Sequence, residues 1–202
     1  MALSWKTWKL SDILYGIVVP VIVVLVIIGL SQVGSIFERG SYGIITGIVS
    51  EIEEMVILVA VPLLLGLVWN RWAGGASGFL LGSIYAIWWS VKFGMFAPGL
   101  LMSLGPTILG YVLSAMLIGY MAGALNQRSE DFKRLLISSV VATTVGGLLL
   151  FGVFHLSSMN VVTGVDGFLL TVLTRIATGV IIAIIAKVFM WYGMAINKKS
   201  GP

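Results

Sequence analysis

Apolar runs separated by short polar breaks divide this chain into six stretches, near residues 12–31, 51–69, 73–91, 105–125, 135–155 and 167–195. A helix rising 1.5 Å per residue needs about 20 residues to cross a hydrocarbon core about 30 Å thick, and each stretch is close to that length or beyond it. The pattern predicts an all-α integral membrane protein, a bundle of six transmembrane helices forming one domain over residues 1–202. The first apolar run is longer than the roughly 7–15 residues of a cleaved signal peptide, and five more runs follow it. It is therefore expected to remain in the mature protein.

The lysines and arginines orient the bundle, because cytoplasmic loops carry their excess. With the N-terminus inside, Lys6, Lys9, Arg71, Arg128, Lys133, Arg134, Lys198 and Lys199 fall on inner segments, and only Arg39 and Lys92 on outer ones. Both termini are expected to be cytoplasmic, in a multi-pass protein of the plasma membrane. Three loops then face outward, near residues 32–50, 92–104 and 156–166. Arg175 and Lys187 lie within the last span.

The first outer loop contains the small, apolar segment Gly43 to Val49, which is suited to covering the bundle as a lid. On one reading the second helix begins near Ser50, with Glu51, Glu53 and Glu54 in its first turn, where the helix dipole favours acids. On the other, a single helix runs from about 44 to 69 and carries those carboxylates into the membrane. That placement costs roughly 2.5–3.5 kcal/mol for a carboxylate at the midplane.

Composition agrees with the pattern. Of 202 residues, 59% are hydrophobic and 10% charged, with a mean hydropathy of +1.09. Soluble domains average about 25% charged residues, so a water-soluble globule is excluded. The net charge of +4 comes without a basic run beyond Lys198 and Lys199, which speaks against nucleic acid. There is no cysteine and one histidine, His155. Disulfides, thiolate metal centres and multi-imidazole zinc or haem sites are thereby excluded, and no cofactor is expected.

Small residues recur every fourth position in the third and fourth spans, at Gly74, Gly78 and Gly82 and at Ala115, Gly119 and Gly123. Such stripes let helix backbones approach closely. They serve either packing within the chain or docking of another membrane subunit.

The outer half of the bundle holds the candidate chemistry. Tyr85, Trp88, Trp89 and Lys92 close the third span, His155 ends the fifth, and Asp166 starts the sixth. Aromatic residues at a span end form either an interfacial belt or a ligand cage. Arg175 lies about two turns below the outer end of the sixth span, where an unpaired guanidinium is expensive. It is expected to face the interior and meet either an anionic ligand or one of Glu51, Glu53, Glu54 and Asp166. Asn160 and Thr163 are outer-loop candidates for hydrogen bonding. Lys187, nearer the inner half, can extend its ammonium to the interface and is given no function.

Gly75-Ala76-Ser77-Gly78 has the Gly-x-Ser-Gly form found in rhomboid intramembrane proteases. The expected topology puts Ser77 near the inner membrane face and His155 near the outer one. A serine and its base need contact within about 2.6–3.2 Å, so Ser77 is read as a packing residue.

Two segments carry a broader resemblance: Pro62 to Gly82, an apolar helix, a short inner turn and a small-residue helix, and Gly110 to Gly123. Together with six spans, cytoplasmic ends and a long first outer loop, they resemble the S components of energy-coupling-factor (ECF) transporters, substrate-binding membrane subunits of ATP-driven importers. The resemblance implies a non-enzymatic protein that binds a vitamin-like small molecule at its outer end. Trp88, Trp89 and Tyr85 would stack on it, and Arg175, Lys92, Glu54, His155 and Asn160 would supply polar contacts. A transmembrane coupling subunit and ATPase subunits would be separate chains, since no Gly-x-x-x-x-Gly-Lys-Ser/Thr motif is present. The first span has Gly16, Pro20 and Gly29 in place of the Ala-x-x-x-Ala stripe common in that family, which moves the expected docking surface to Gly74, Gly78 and Gly82. The absence of a histidine-rich N-terminus argues against a metal substrate. Two other classes remain open: an accessory subunit of a larger membrane complex, and a secondary carrier in which Glu51, Glu53 or Glu54 exchanges protons.

Overall fold

The computed structural model describes residues 52–92, 101–156 and 165–191, all but the connecting turns helical. The expected first span, near 12–31, lies outside the described residues. The chain divides into two compact units, Met1–Glu53 and Glu54–Pro202, and the architecture that follows is that of the second. A π-helical segment π1 (Met55–Ala60) continues as α1 (Val61–Val68). A two-residue turn leads to α2 (Arg71–Lys92), and α3 (Leu101–Asn126) and α4 (Phe132–Leu156) follow. The last described run is α5 (Val165–Phe168), a second π-helical segment π2 (Leu169–Leu173), and α6 (Thr174–Trp191).

Three helical stretches among the described residues are long and apolar enough to cross a membrane: Ile108–Asn126, Phe132–Leu156 and Thr171–Trp191. The protein is a helical membrane protein. Large apolar side chains on its outside, such as Ile137, Leu148, Ile181 and Ile184, fit a hydrocarbon surrounding.

Helix α3 is the hub, packed along α2 and touching α1 and α4, while α4 packs on α6. Glycines make the close approaches possible. A Cβ added at Gly74 or Gly119 would strike the backbone of the other's helix, one at Gly78 would strike Ala115, and one at Gly82 would lie 2.9 Å from the Cα of Val112. Gly66 of α1 meets Gly119 and Gly123 of α3 in the same way. The faces of Gly74, Gly78 and Gly82 are thus filled by α3, and the expectation that they dock a separate subunit gives way to packing within the chain. Ser77 belongs to this seam. It is buried, and its hydroxyl donates to the carbonyl of Gly74 at 2.9 Å.

Buried hydroxyls hold the other helix pairs. Ser114 on α3 donates to the carbonyl of Gly146 on α4 at 2.8 Å, and Ser139 on α4 donates to that of Gly179 on α6. Interhelical hydrogen bonds in lipid contribute on average about 0.6 kcal/mol, up to roughly 2 kcal/mol.

One end of the bundle is closed by polar side chains bonded to backbone groups at the helix ends and in the turns between them. Asn70 caps α2, its Oδ1 accepting from the N–H of Ala73 at 2.8 Å. Buried Asn126 donates through Nδ2 to the carbonyls of Leu67 and Ser129, each at 3.1 Å. Arg128 Nε reaches the carbonyl of Trp69 at 3.0 Å, and Arg134 donates twice to that of Leu125. Lys187 extends from α6 to the carbonyl of Glu130 at 2.7 Å. Arg128 and Arg134 thereby neutralise the negative ends of α1 and α3, the helix termini where unpaired carbonyls accumulate. Gln127 and Arg128 adopt positive φ, 49° and 60°, which ends α3 abruptly and turns the chain into α4.

Candidate functional site: a buried ion pair under an aromatic cluster

Toward the opposite end, α6 and the segment leading into π1 bring Arg175 against Glu54. The guanidinium is 2% exposed and the carboxylate 12%, and Nη2 of Arg175 donates to Oε1 of Glu54 in a short ion pair. Nη1 donates to the carbonyl of Thr171, one turn earlier, at 2.9 Å, while Nε is buried with no hydrogen-bond partner among the described residues. Arg175 lies four residues into the membrane-crossing stretch Thr171–Trp191, about 6 Å along the helix. The ion pair holds Glu54 at the level of Arg175 in the bundle. Glu51 lies outside the described residues.

Both partners adjoin π-helical backbone. Glu54 immediately precedes π1, and Arg175 is the second residue after π2. Pro62 accounts for the first irregularity. It has no N–H to offer the carbonyl four residues back, and its ring crowds that carbonyl, so the preceding turn widens. Val61 N–H accordingly bonds to the carbonyl of Val56, five residues away. In the second, the carbonyl of Thr171 turns to the guanidinium. Widened turns of this kind occur frequently at functional sites.

Gly147 on α4 makes room for the arginine stem. A Cβ there would stand 3.4 Å from Cδ of Arg175 and from the Cα of Val172, so a larger side chain would enter the space the arginine fills.

Above the pair lies Tyr85, 1% exposed, its hydroxyl 3.4 Å from Oε2 of Glu54. Its ring centre is 5.7 Å from that of Trp88, 6.0 Å from Trp89 and 5.3 Å from Tyr111. Phe154 extends the cluster, edge-on to Tyr111 at 5.5 Å. These separations are those of favourable aromatic pairs. Trp88 and Trp89 are half-buried, forming the outer part of the cluster.

Five candidates from the sequence thus converge: Tyr85, Trp88, Trp89, Glu54 and Arg175. His155 is exposed and stacks on Phe151 at 6.1 Å, and Phe151 in turn meets Phe168 edge-on. No contact between His155 and the ion pair is seen among the described residues. Asn160 and Thr163, with the side chains of Lys92 and Asp166, lie outside the described residues. Tyr111, Gly147 and Thr171 join the site without having stood out in the pattern.

The arrangement combines a desolvated cation, one carboxylate and a stack of flat rings. It is suited to holding an amphiphilic aromatic molecule by ring stacking and charge-assisted hydrogen bonds. Groups of three or more histidine, cysteine or acidic residues able to hold a metal do not occur among the described residues.

The class of protein so defined is a helical membrane protein with a charged pair buried beneath aromatic side chains. No protein-family model matches the chain, and neither a curated protein nor a solved structure does.

Proposed function

We propose that the chain is the substrate-binding membrane subunit of an ATP-driven importer for a vitamin-like small molecule, similar to the S components of ECF transporters. The observation that carries this reading is the convergence of Tyr85, Trp88 and Trp89 on the Arg175–Glu54 pair. Among the described residues, Arg175 keeps one buried donor, Nε, unpaired. A substrate carboxylate or phosphate would complete the guanidinium's hydrogen bonding, and a flat ring would stack against the tryptophans. The protein itself is not an enzyme on this reading. It lies in the plasma membrane with cytoplasmic termini and six spans, and a coupling subunit with separate ATPases supplies the energy.

An equilibrium binding screen of the purified full chain against vitamins tests the proposal. The expected result is one ligand that raises thermal stability, following RT ln(1 + [L]/Kd), and loses this effect in Arg175→Lys. Failure of every vitamin-like compound to bind, or undiminished affinity in Arg175→Lys, would overturn it.

A second reading, a proton-coupled secondary carrier, draws support from the pairing of Glu54 with Arg175 inside the bundle, because ionisable residues inside a membrane commonly mark transport pathways. Uptake into proteoliposomes driven by a pH gradient without ATP would select it.

A further inference from the structure

At the capped end of the bundle, a groove of about 340 Å³ opens between the end of α3 and the start of α4. It is lined by Leu125, Asp131, Lys133, Arg134, Ile137 and Val141 among others. Arg134, Ile137 and Val141 follow one another at helical spacing, so the groove descends α4 from a charged rim to an apolar floor. We propose that this groove seats an acidic phospholipid, its phosphate on Lys133 and Arg134 and an acyl chain along Leu125, Ile137 and Val141.

The rim is polarised toward an anion. Arg134 is fixed there by its two hydrogen bonds to the carbonyl of Leu125, made through Nε and Nη2, which leave Nη1 directed elsewhere. The Lys133 ammonium is exposed and makes no ion pair or hydrogen bond among the described residues. Two cations stand against one acid, Asp131, so the rim carries a net positive charge. Ile137, 53% exposed, lies about one turn deeper, and Val141 about one turn beyond that.

The rim also stands at the level of a membrane interface. Trp72 begins α2 at this end, 67% exposed, with the Arg71 guanidinium 5.5 Å over its ring and Tyr120 edge-on beside it. Trp191 ends α6, 82% exposed, one helical turn past Lys187, which reaches the same end through Glu130. Tryptophans so placed mark the headgroup region. Cations at that level with a hydrocarbon-facing trough directly below match the head and tail of one lipid. Basic pockets between helices on the cytoplasmic side are suited to anionic headgroups.

The test uses the full chain in nanodiscs of phosphatidylcholine with a minor share of phosphatidylglycerol, followed by native mass spectrometry of the lipids retained. Retained lipid is expected to be enriched in phosphatidylglycerol over its share of the bilayer. Lys133→Gln should reduce that enrichment about fivefold, in line with one basic residue at an anionic surface. Val141→Trp, which fills the floor and keeps the rim, should reduce retention, whereas Leu148→Trp on the same helix should not. Ile137→Trp replaces Val141→Trp if that variant does not fold. Equal retention of both lipids would overturn the proposal. So would displacement of the lipid by millimolar inorganic phosphate, or retention unchanged in both Lys133→Gln and the groove-filling variant.

Discussion

Arg175 and Glu54, 121 positions apart in the chain, close an ion pair inside the bundle, one beside π2 and the other beside π1. Arg175 is almost wholly buried and Glu54 largely so, and each is the condition for burying the other. Removing one partner of a buried pair costs about 3–5 kcal/mol, because the remaining charge is left uncompensated. Glu54→Ala and Arg175→Ala should each destabilise the protein by that order. The double variant Glu54→Leu/Arg175→Leu should recover most of the loss, as replacing a whole buried pair by apolar residues is often neutral. Unfolding in mixed micelles measures all three, and full stability of either single variant would show that the pair is not closed in the membrane.

The need of Arg175 for an anion was legible in the sequence, but whether an acid of the chain or a ligand met it, and which acid, was not. An arginine within an apolar span needs an anion, and the sequence offered four acids, Glu51, Glu53, Glu54 and Asp166, as partners. Selecting Glu54 required knowing which way its helix faces, and a widened turn adds a residue that rotates everything on one side by about 100° relative to a regular 3.6-residue repeat. Pro62 hinted at the irregularity without fixing its extent. The glycine stripe shows the same division. Recurrence at Gly74, Gly78 and Gly82 revealed a close approach, whereas its partner, α3 of the same chain, is a property of three-dimensional packing.

The seam between α2 and α3 admits a sharp contrast between glycines. At Gly119 an added Cβ would collide with the backbone of Gly74, and nothing soft is there to yield. Gly119→Ala should therefore destabilise by at least about 2 kcal/mol, within or above the range of overpacked cores. At Gly152 nothing lies within 4 Å of the added atom. Gly152→Ala should be neutral or stabilise by up to roughly 1 kcal/mol through helix propensity. Paired thermal unfolding of the two variants checks the ordering.

Tyr85 touches Glu54 with its hydroxyl and three aromatic residues with its ring, and the two roles separate by substitution. The 3.4 Å approach of the hydroxyl is long for a hydrogen bond, so Tyr85→Phe should cost no more than about 1 kcal/mol. Tyr85→Ala removes a fully buried ring and should cost about 3–5 kcal/mol, as aromatic truncations do. Near-ultraviolet circular dichroism should change strongly in the second variant only, because Trp88 and Trp89 lose the ring they pack against.

Asn126 joins three segments at the capped end, since its Nδ2 bridges the carbonyls of Leu67 and Ser129 while the residue itself ends α3. It is 0% exposed, so water cannot take over those bonds readily if the side chain is removed. Asn126→Ala leaves both carbonyls to find new donors and should cost about 1–3 kcal/mol. Asn126→Asp is expected to be worse, because a carboxylate offers no donor to either carbonyl and buries a charge beside them. Hydrogen exchange localises the effect: protection should fall first at the turn around Trp69 and Asn70 and in the last turn of α3. Uniform loss of protection across α4 and α6 would instead mean that the cap does not act locally on the two helix ends it bridges.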